Sequence, residues 1–235
     1  MRLGIMQPYF LPYIGYISLI KHTDSFILLD EVQFIRHGWI ERNRILKQTG
    51  GWQYISVPLN SHSQKTSIKE ITINNSVAWK KRIIDQIGHY NKAPFYYQVK
   101  ELLEDVLREE VDDIVTLNHI TLTKICKYLE INTPIYIFSA MGMKLDKLNE
   151  PDDWALAICK NIGNVTEYWN PPGGKSFFQV SKYIDAGIEV KFQQMTLLPY
   201  RQKSDDFISG LSIIDVMMFN DIETIHKMLD RYEFI

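Results

Sequence analysis

The chain has 235 residues, 46% hydrophobic and 23% charged, with a formal net charge of −2. That balance excludes a disordered or fibrous chain, because enough apolar side chain is present to offset the entropy of ordering a core. It also argues against general nucleic-acid binding, which needs a concentrated basic face to displace counterions, although Arg36, Arg42, Arg44 and Lys47 cluster beside Trp39.

Leu3 to Met6 reads as a short buried strand stopped by Pro8, and Tyr13 to His22 as a helix entered through Pro12. Ser25 to Asp30 is a second strand whose unbroken apolar run, Phe26 to Leu29, expects cover on both faces. A helix between two such strands requires a parallel crossover. Gln33 to Gly51 is polar, basic and long enough to be a functional loop. Residues 53–57 and the alternating stretch 68–73 read as strands, with the polar loop 60–65 between them. From 76 to 130 the spacing is helical: Trp79, Ile83, Ile87 and Tyr90; Leu102 to Leu107; and Ile114 to Leu129 behind Asp112 and Asp113. Sheet-like pattern returns at 135–138. A helix follows over 151–162, closed by Gly163, then a strand at 165–169 and a glycine-proline loop at 169–176. A helix to Ala186, a strand at 188–192 and helices at 213–219 and 221–230 complete the chain. This order predicts a single α/β domain over 1–235. Its sheet is open, mostly parallel and Rossmann-like, with helices on both faces, and residues 76–130 form a helical subdomain or insertion.

Gln7 and Pro8 break the first apolar run, so no signal peptide is expected. No window reaches the roughly 18 apolar residues of a membrane span. Cys126 and Cys159 fall in apolar helical patterns that suit buried thiols in a reducing compartment. A cytoplasmic protein is the expectation. Dinucleotide, hydrolase-elbow and metal signatures are missing, and no metal is expected. Gly174-Lys175-Ser176 resembles a phosphate loop only in part, since Trp169 stands where that motif needs glycine; a looser anion-binding turn and a plain surface turn are both open.

The string Met6-Gln7-Pro8-Tyr9-Phe10-Leu11-Pro12-Tyr13-Ile14-Gly15-Tyr16 resembles the opening signature of the WbqC-like family. The likeness continues through Leu29 to Phe34, Arg42-Asn43-Arg44-Ile45, Val57-Pro58-Leu59, Tyr90 to Phe95, Tyr200-Arg201-Gln202, and Phe207 with Leu211 to Asp215. It spans essentially the whole chain. It implies a place in O-antigen or related surface-polysaccharide biosynthesis, with transfer of glycine or another acyl group to an amino sugar, but brings no catalytic residues with it. The turn Phe10 to Tyr16 is also distantly similar to the His-x-Gly-His signature of nucleotidylyl transferases and pantothenate synthetases, with Tyr13 and Tyr16 in place of both histidines. That likeness implies that a nucleotide lies against Gly15 with its phosphate at a helix N-terminus. A phenol donates a hydrogen bond but carries no positive charge, so charge must come from Arg42, Arg44 or Lys175.

Candidate site residues follow from position. Gln7, Tyr9, Tyr13 and Tyr16 lie past the carboxyl end of the first strand, where open parallel sheets bind ligands; a polar-aromatic cap on the sheet is the alternative. Asp30 ends the second strand and is a candidate base, or a salt-bridge partner of an arginine. Asp30, Tyr13 and Tyr16 form the candidate catalytic set. Gln7, Tyr9, Gly15, Gln33, Arg42, Asn43, Arg44, Gly174, Lys175, Ser176, Tyr200 and Gln202 form the binding set. The expected activity is acyl or aminoacyl transfer, glycyl among the options, that forms an amide on a nucleotide-linked amino sugar. ATP is a candidate co-substrate. The alternative is a non-catalytic sugar-nucleotide binder of glycan assembly.

Overall fold

The computed structural model describes every residue except 147, 149, 177, 204 and 205. The chain opens with β1 (Arg2–Met6), α1 (Ile14–His22) and β2 (Ser25–Leu28), and β1 and β2 pair in parallel as a crossover demands. Next come β3 (Arg42–Leu46) and β4 (Trp52–Ser56), then α2 (Trp79–Ile87), α3 (Tyr96–Arg108) and α4 (Ile114–Tyr128). The rest is β5 (Ile135–Ile137), α5 (Asp153–Ile162), β6 (Glu167–Asn170), α6 (Val180–Ile184), β7 (Glu189–Met195), α7 (Ile213–Phe219), α8 (Ile222–Leu229) and β8 (Tyr232–Phe234).

Six strands form one sheet in the order β5-β2-β1-β6-β7-β8, parallel except for β8, which runs against β7. Counted along this sheet alone, the order is 3-2-1-4-5-6, the doubly wound Rossmann-like arrangement. Alternate residues serve its two faces. Phe26, Leu28 and Trp169 join the large core with α1, α2, α3, α4, α7 and α8. Leu3, Ile5, Ile27 and Tyr168 join the second core, under α5 and α6. Gly4 makes room for the Phe26 ring, which a Cβ there would approach to 2.6 Å.

Three expectations change. The segment 33–51 is not all loop: residues 42–46 pair antiparallel with 52–56 as a separate hairpin, turned by Gly50 and Gly51 at φ 95° and 72°. Residues 68–73 do not form a strand. Ser67 and Glu70 make a reciprocal capping box around a single 3-10 turn, and Ile68, Ile71 and Ile73 are all buried, which the apparent alternation concealed. The helix before Ala186 shrinks to 180–184, because the double proline leads into a 3-10 turn at 172–174 and the Gln179 N–H is held by Asp152 at 3.1 Å. Phe177 in that stretch lies outside the described residues. The strand β8 was not anticipated; it is three residues at the sheet edge.

Candidate active site at the strand-order reversal

β1 and β6 are neighbours that lead in opposite directions across the sheet, and such a reversal leaves a crevice beyond their carboxyl ends. A cleft of about 380 Å³ lies there, within the usual size range of small-molecule sites. Its floor is Met6, Tyr9, Tyr13, Gly15, Tyr16 and Leu19; Trp39, Asn43 and Arg44 form the hairpin wall. Pro171, Pro172 and Gly173 form the β6 wall, and Leu197 and Gly210 contribute from the β7–α7 connection.

The floor is held in place because five carbonyls of the loop from Gln7 to Pro12 accept hydrogen bonds. Gln7 O accepts from the Tyr16 hydroxyl at 2.8 Å, Pro8 O from Asn118 Nδ2 at 2.8 Å and Phe10 O from Asn43 Nδ2 at 3.1 Å. Leu11 O accepts from the Ser212 hydroxyl at 2.7 Å and Pro12 O from the Ile213 N–H at 2.7 Å. A loop outside the main sheet is thereby satisfied largely by side chains from three distant elements. Asn118 also donates to Ile40 O at 2.9 Å, tying α4 to the floor loop and to the approach to β3.

The tyrosines are donors rather than bases. Burial raises the phenols of Tyr9 and Tyr13 above their usual value, and that of Tyr16 well above it. Tyr16 is fully buried and points at Gln7 O, so it stiffens the floor. The Tyr13 ring lies on Gly15: a Cβ there would sit 2.4 Å from the ring. The ring thereby covers the glycine in the first turn of α1.

Arg42 and Arg44 point to the same face of β3, but they are used differently. Arg42 donates to His37 O at 2.5 Å and to Gly38 O at 3.3 Å, with its guanidinium 4.2 Å from the Tyr54 ring centre. Arg44 stands 5.4 Å from the Trp39 ring centre and 5.3 Å from that of Trp52, and donates through Nη2 to Gly210 O at 3.2 Å. Its Nε is buried and has no partner among the described residues.

Other expected site residues lie elsewhere. Asp30 is buried outside the cleft lining; its carboxylate accepts from the Ser139 N–H at 3.0 Å and the Ser139 hydroxyl at 2.5 Å. Gln33 is exposed and donates to Gln64 O at 2.5 Å. Gln7 contributes its backbone oxygen and does not line the cleft. Of the glycine-proline loop, the cleft takes Pro171 to Gly173 and not Gly174, Lys175 or Ser176. The N–H groups of Gly174 and Lys175 turn back to Pro171 O and Pro172 O, so they do not form an outward anion nest. Tyr200 and Gln202 meet at Asp215, which also accepts from the Tyr90 hydroxyl. Burial raises the Asp215 carboxyl above its usual value despite these three donors.

Sequence reasoning gave no role to Asn118, Ser212, Leu197 or Gly210. Asn118 did carry a signal, as a polar residue between Leu117 and Thr121 on an apolar helical stripe. The lining contains no Asp, Glu or His among the described residues. No described helix is long and apolar enough to cross a membrane.

A sequence profile described as the WbqC-like protein family matches residues 7–227. An uncharacterized protein of Mycobacterium tuberculosis, Rv1507c, is 26% identical over 222 residues, covering 93% of each chain. No solved structure matches.

Proposed function

The chain belongs to the WbqC-like protein family, and from that premise we propose that its cleft binds a nucleotide-linked amino sugar used in assembling O-antigen or a related surface polysaccharide. The observation that carries this reading is a single guanidinium, Arg44, set among aromatic rings at the point where the strand order reverses. Phosphate gives such a group a planar, charge-assisted partner, while rings and hydroxyls suit a sugar or a base. The cleft volume suits part of such a ligand, with the remainder over the open hairpin face.

Acyl or aminoacyl transfer to the sugar amine, glycyl transfer included, is the second reading, and the phenols of Tyr9 and Tyr13 favour it. Each stays protonated at neutral pH and can donate to the oxyanion that forms when an amine attacks an acyl carbon. The amine must also lose a proton, and the lining supplies no carboxylate or imidazole to take it. Asp30 is left out of this scheme because Ser139 holds its carboxylate. ATP, the natural activator of a free acid, would meet Arg44 through its phosphates.

Calorimetric titration with a UDP-linked amino sugar, and with the same amino sugar unlinked, tests the first reading. Binding of the linked form alone is expected; equal affinity for both, or for neither, sinks it. Adding glycine and ATP and following the sugar nucleotide by mass spectrometry tests the second. An amide product establishes transfer, and unchanged sugar nucleotide leaves a binding protein.

A further inference from the structure

Within that sugar-nucleotide reading, we propose that the ligand's phosphate is held by the hairpin wall at Arg44, and not by the first turn of α1. The likeness to nucleotide-binding strand–helix turns places phosphate at the helix N-terminus beside Gly15. In this chain the Tyr13 ring lies on that glycine, in the space where a Cβ would be 2.4 Å from its atoms. A phosphate oxygen cannot share that space with the ring.

Arg44 offers what the helix end does not. Two tryptophan rings lie within cation–π range of its guanidinium, Trp39 at 5.4 Å and Trp52 at 5.3 Å. Nη2 gives one hydrogen to Gly210 O. Nη2 and Nε share one edge of the guanidinium, and Nε is buried without an acceptor among the described residues. A buried donor in that state is costly unless an acceptor arrives, and two oxygens of one phosphate fit such an edge side by side. Arg42 lacks this freedom, because its Nε and Nη2 already donate to backbone carbonyls. The backbone fixes the spacing of the two candidate positions. Ser212 is the rung between them, its N–H donating to Arg44 O at 2.8 Å while it bridges to Tyr13 on the other side. Two rungs of sheet spacing put about 10 Å between the backbones of Arg44 and Tyr13. The two positions therefore lie on separate backbone segments, one in the wall of the cleft and one in its floor.

The test uses inorganic pyrophosphate, UDP and uridine as probes, read by calorimetry and by tryptophan fluorescence, on the full chain. Wild type is expected to bind pyrophosphate, and UDP more tightly than uridine, with fluorescence changing as Trp39 and Trp52 sense the anion. Arg44→Gln is expected to weaken pyrophosphate and UDP by about 10- to 100-fold without moving uridine. Lys47→Gln, which removes an exposed charge from the same hairpin, is the control for general attraction and should shift neither by more than about threefold. Arg44→Lys keeps the charge and loses the planar edge, so it should fall between the two; it also carries the test if Arg44→Gln does not fold by circular dichroism. Equal weakening by Lys47→Gln and Arg44→Gln would overturn the proposal. Unaltered pyrophosphate binding in Arg44→Gln would overturn it too, while sugar-nucleotide binding by wild type would still stand. Conversely, pyrophosphate binding lost in Arg44→Gln, with no sugar nucleotide bound by wild type, would uphold the seat and remove the assigned ligand.

Discussion

Two polar groups flank the strand β3, and they are finished to different degrees. On one side Asp215 accepts from Tyr90, Tyr200 and Gln202, and the Tyr90 hydroxyl in turn accepts from the Leu46 N–H at 2.8 Å. On the other side Arg44, two residues earlier, keeps a buried Nε without a partner. Both are charged or chargeable groups drawn largely out of water, where partners are obligatory. A group whose partners all come from the chain itself belongs to the scaffold, whereas a buried donor left unpartnered beside a cleft is what the phosphate proposal rests on. By this comparison Tyr200, Gln202 and Asp215 belong to one closed cluster, and Arg44 is the group proposed to meet what enters the cleft.

The largest effect expected from this contrast is on stability. Asp215→Ala strands three donors in the core and should cost about 3–5 kcal/mol in urea unfolding. A cost below about 1 kcal/mol would mean that the cluster is wet and the contrast false. Arg44→Gln should reverse the pattern. It gives up one hydrogen bond and two cation–π contacts but also removes a buried donor that has no partner among the described residues; the two offset, so unfolding should shift by only about 1 kcal/mol, while phosphate affinity falls as above. A large stability loss in Arg44→Gln would place Arg44 in the scaffold with Asp215. Tyr200→Phe removes one donor of three and should cost about 1–2 kcal/mol, leaving ligand affinity unchanged once the protein is folded. A selective loss of affinity in Tyr200→Phe would return Tyr200 to the binding set.

Sequence pattern reached the fold further than the site. Parallel strands buried on both faces announce themselves as unbroken apolar runs, as in Phe26 to Leu29, and helices such as 114–128 by their periodicity. The hairpin did not: the Arg42-Asn43-Arg44 half of β3 has no apolar alternation, because its outward face carries guanidiniums stacked on rings. The cleft's location was legible in Tyr9, Tyr13 and Gly15, since the end of β1 is a chain-order property. What Gly15 is for was not, because only coordinates reveal that the neighbouring Tyr13 ring lies on it. Asp30, two residues past β2, and Tyr200 with Gln202 were candidates for the same reason, polar residues placed beyond a strand. Their partners, Ser139 and Asp215, lie 109 and 13–15 residues away, and no spacing rule connects them.

The smallest effect is also the sharpest test of how complete the Asp215 cluster is. Two opposing influences act on its carboxyl: burial disfavours the charge, and three donors favour it, with burial the larger, so its pKa is raised from the usual 3.8. The sign follows from linkage. A group whose folded pKa lies above its unfolded value stabilises the fold fully below the unfolded pKa, and that contribution is lost as pH rises through the folded one. Asp215→Asn keeps the shape and cannot ionise. The difference in melting temperature between wild type and this variant should therefore be most favourable to wild type below pH 3.8, and shrink as pH rises above it. Titrations common to both proteins cancel in the difference. A gap that instead widens with pH would mean that the donors outweigh burial and that Asp215 folds as a satisfied anion. The scaffold side of β3 would then be more completely partnered than burial alone indicates, and the unpartnered Nε of Arg44 would stand out further against it.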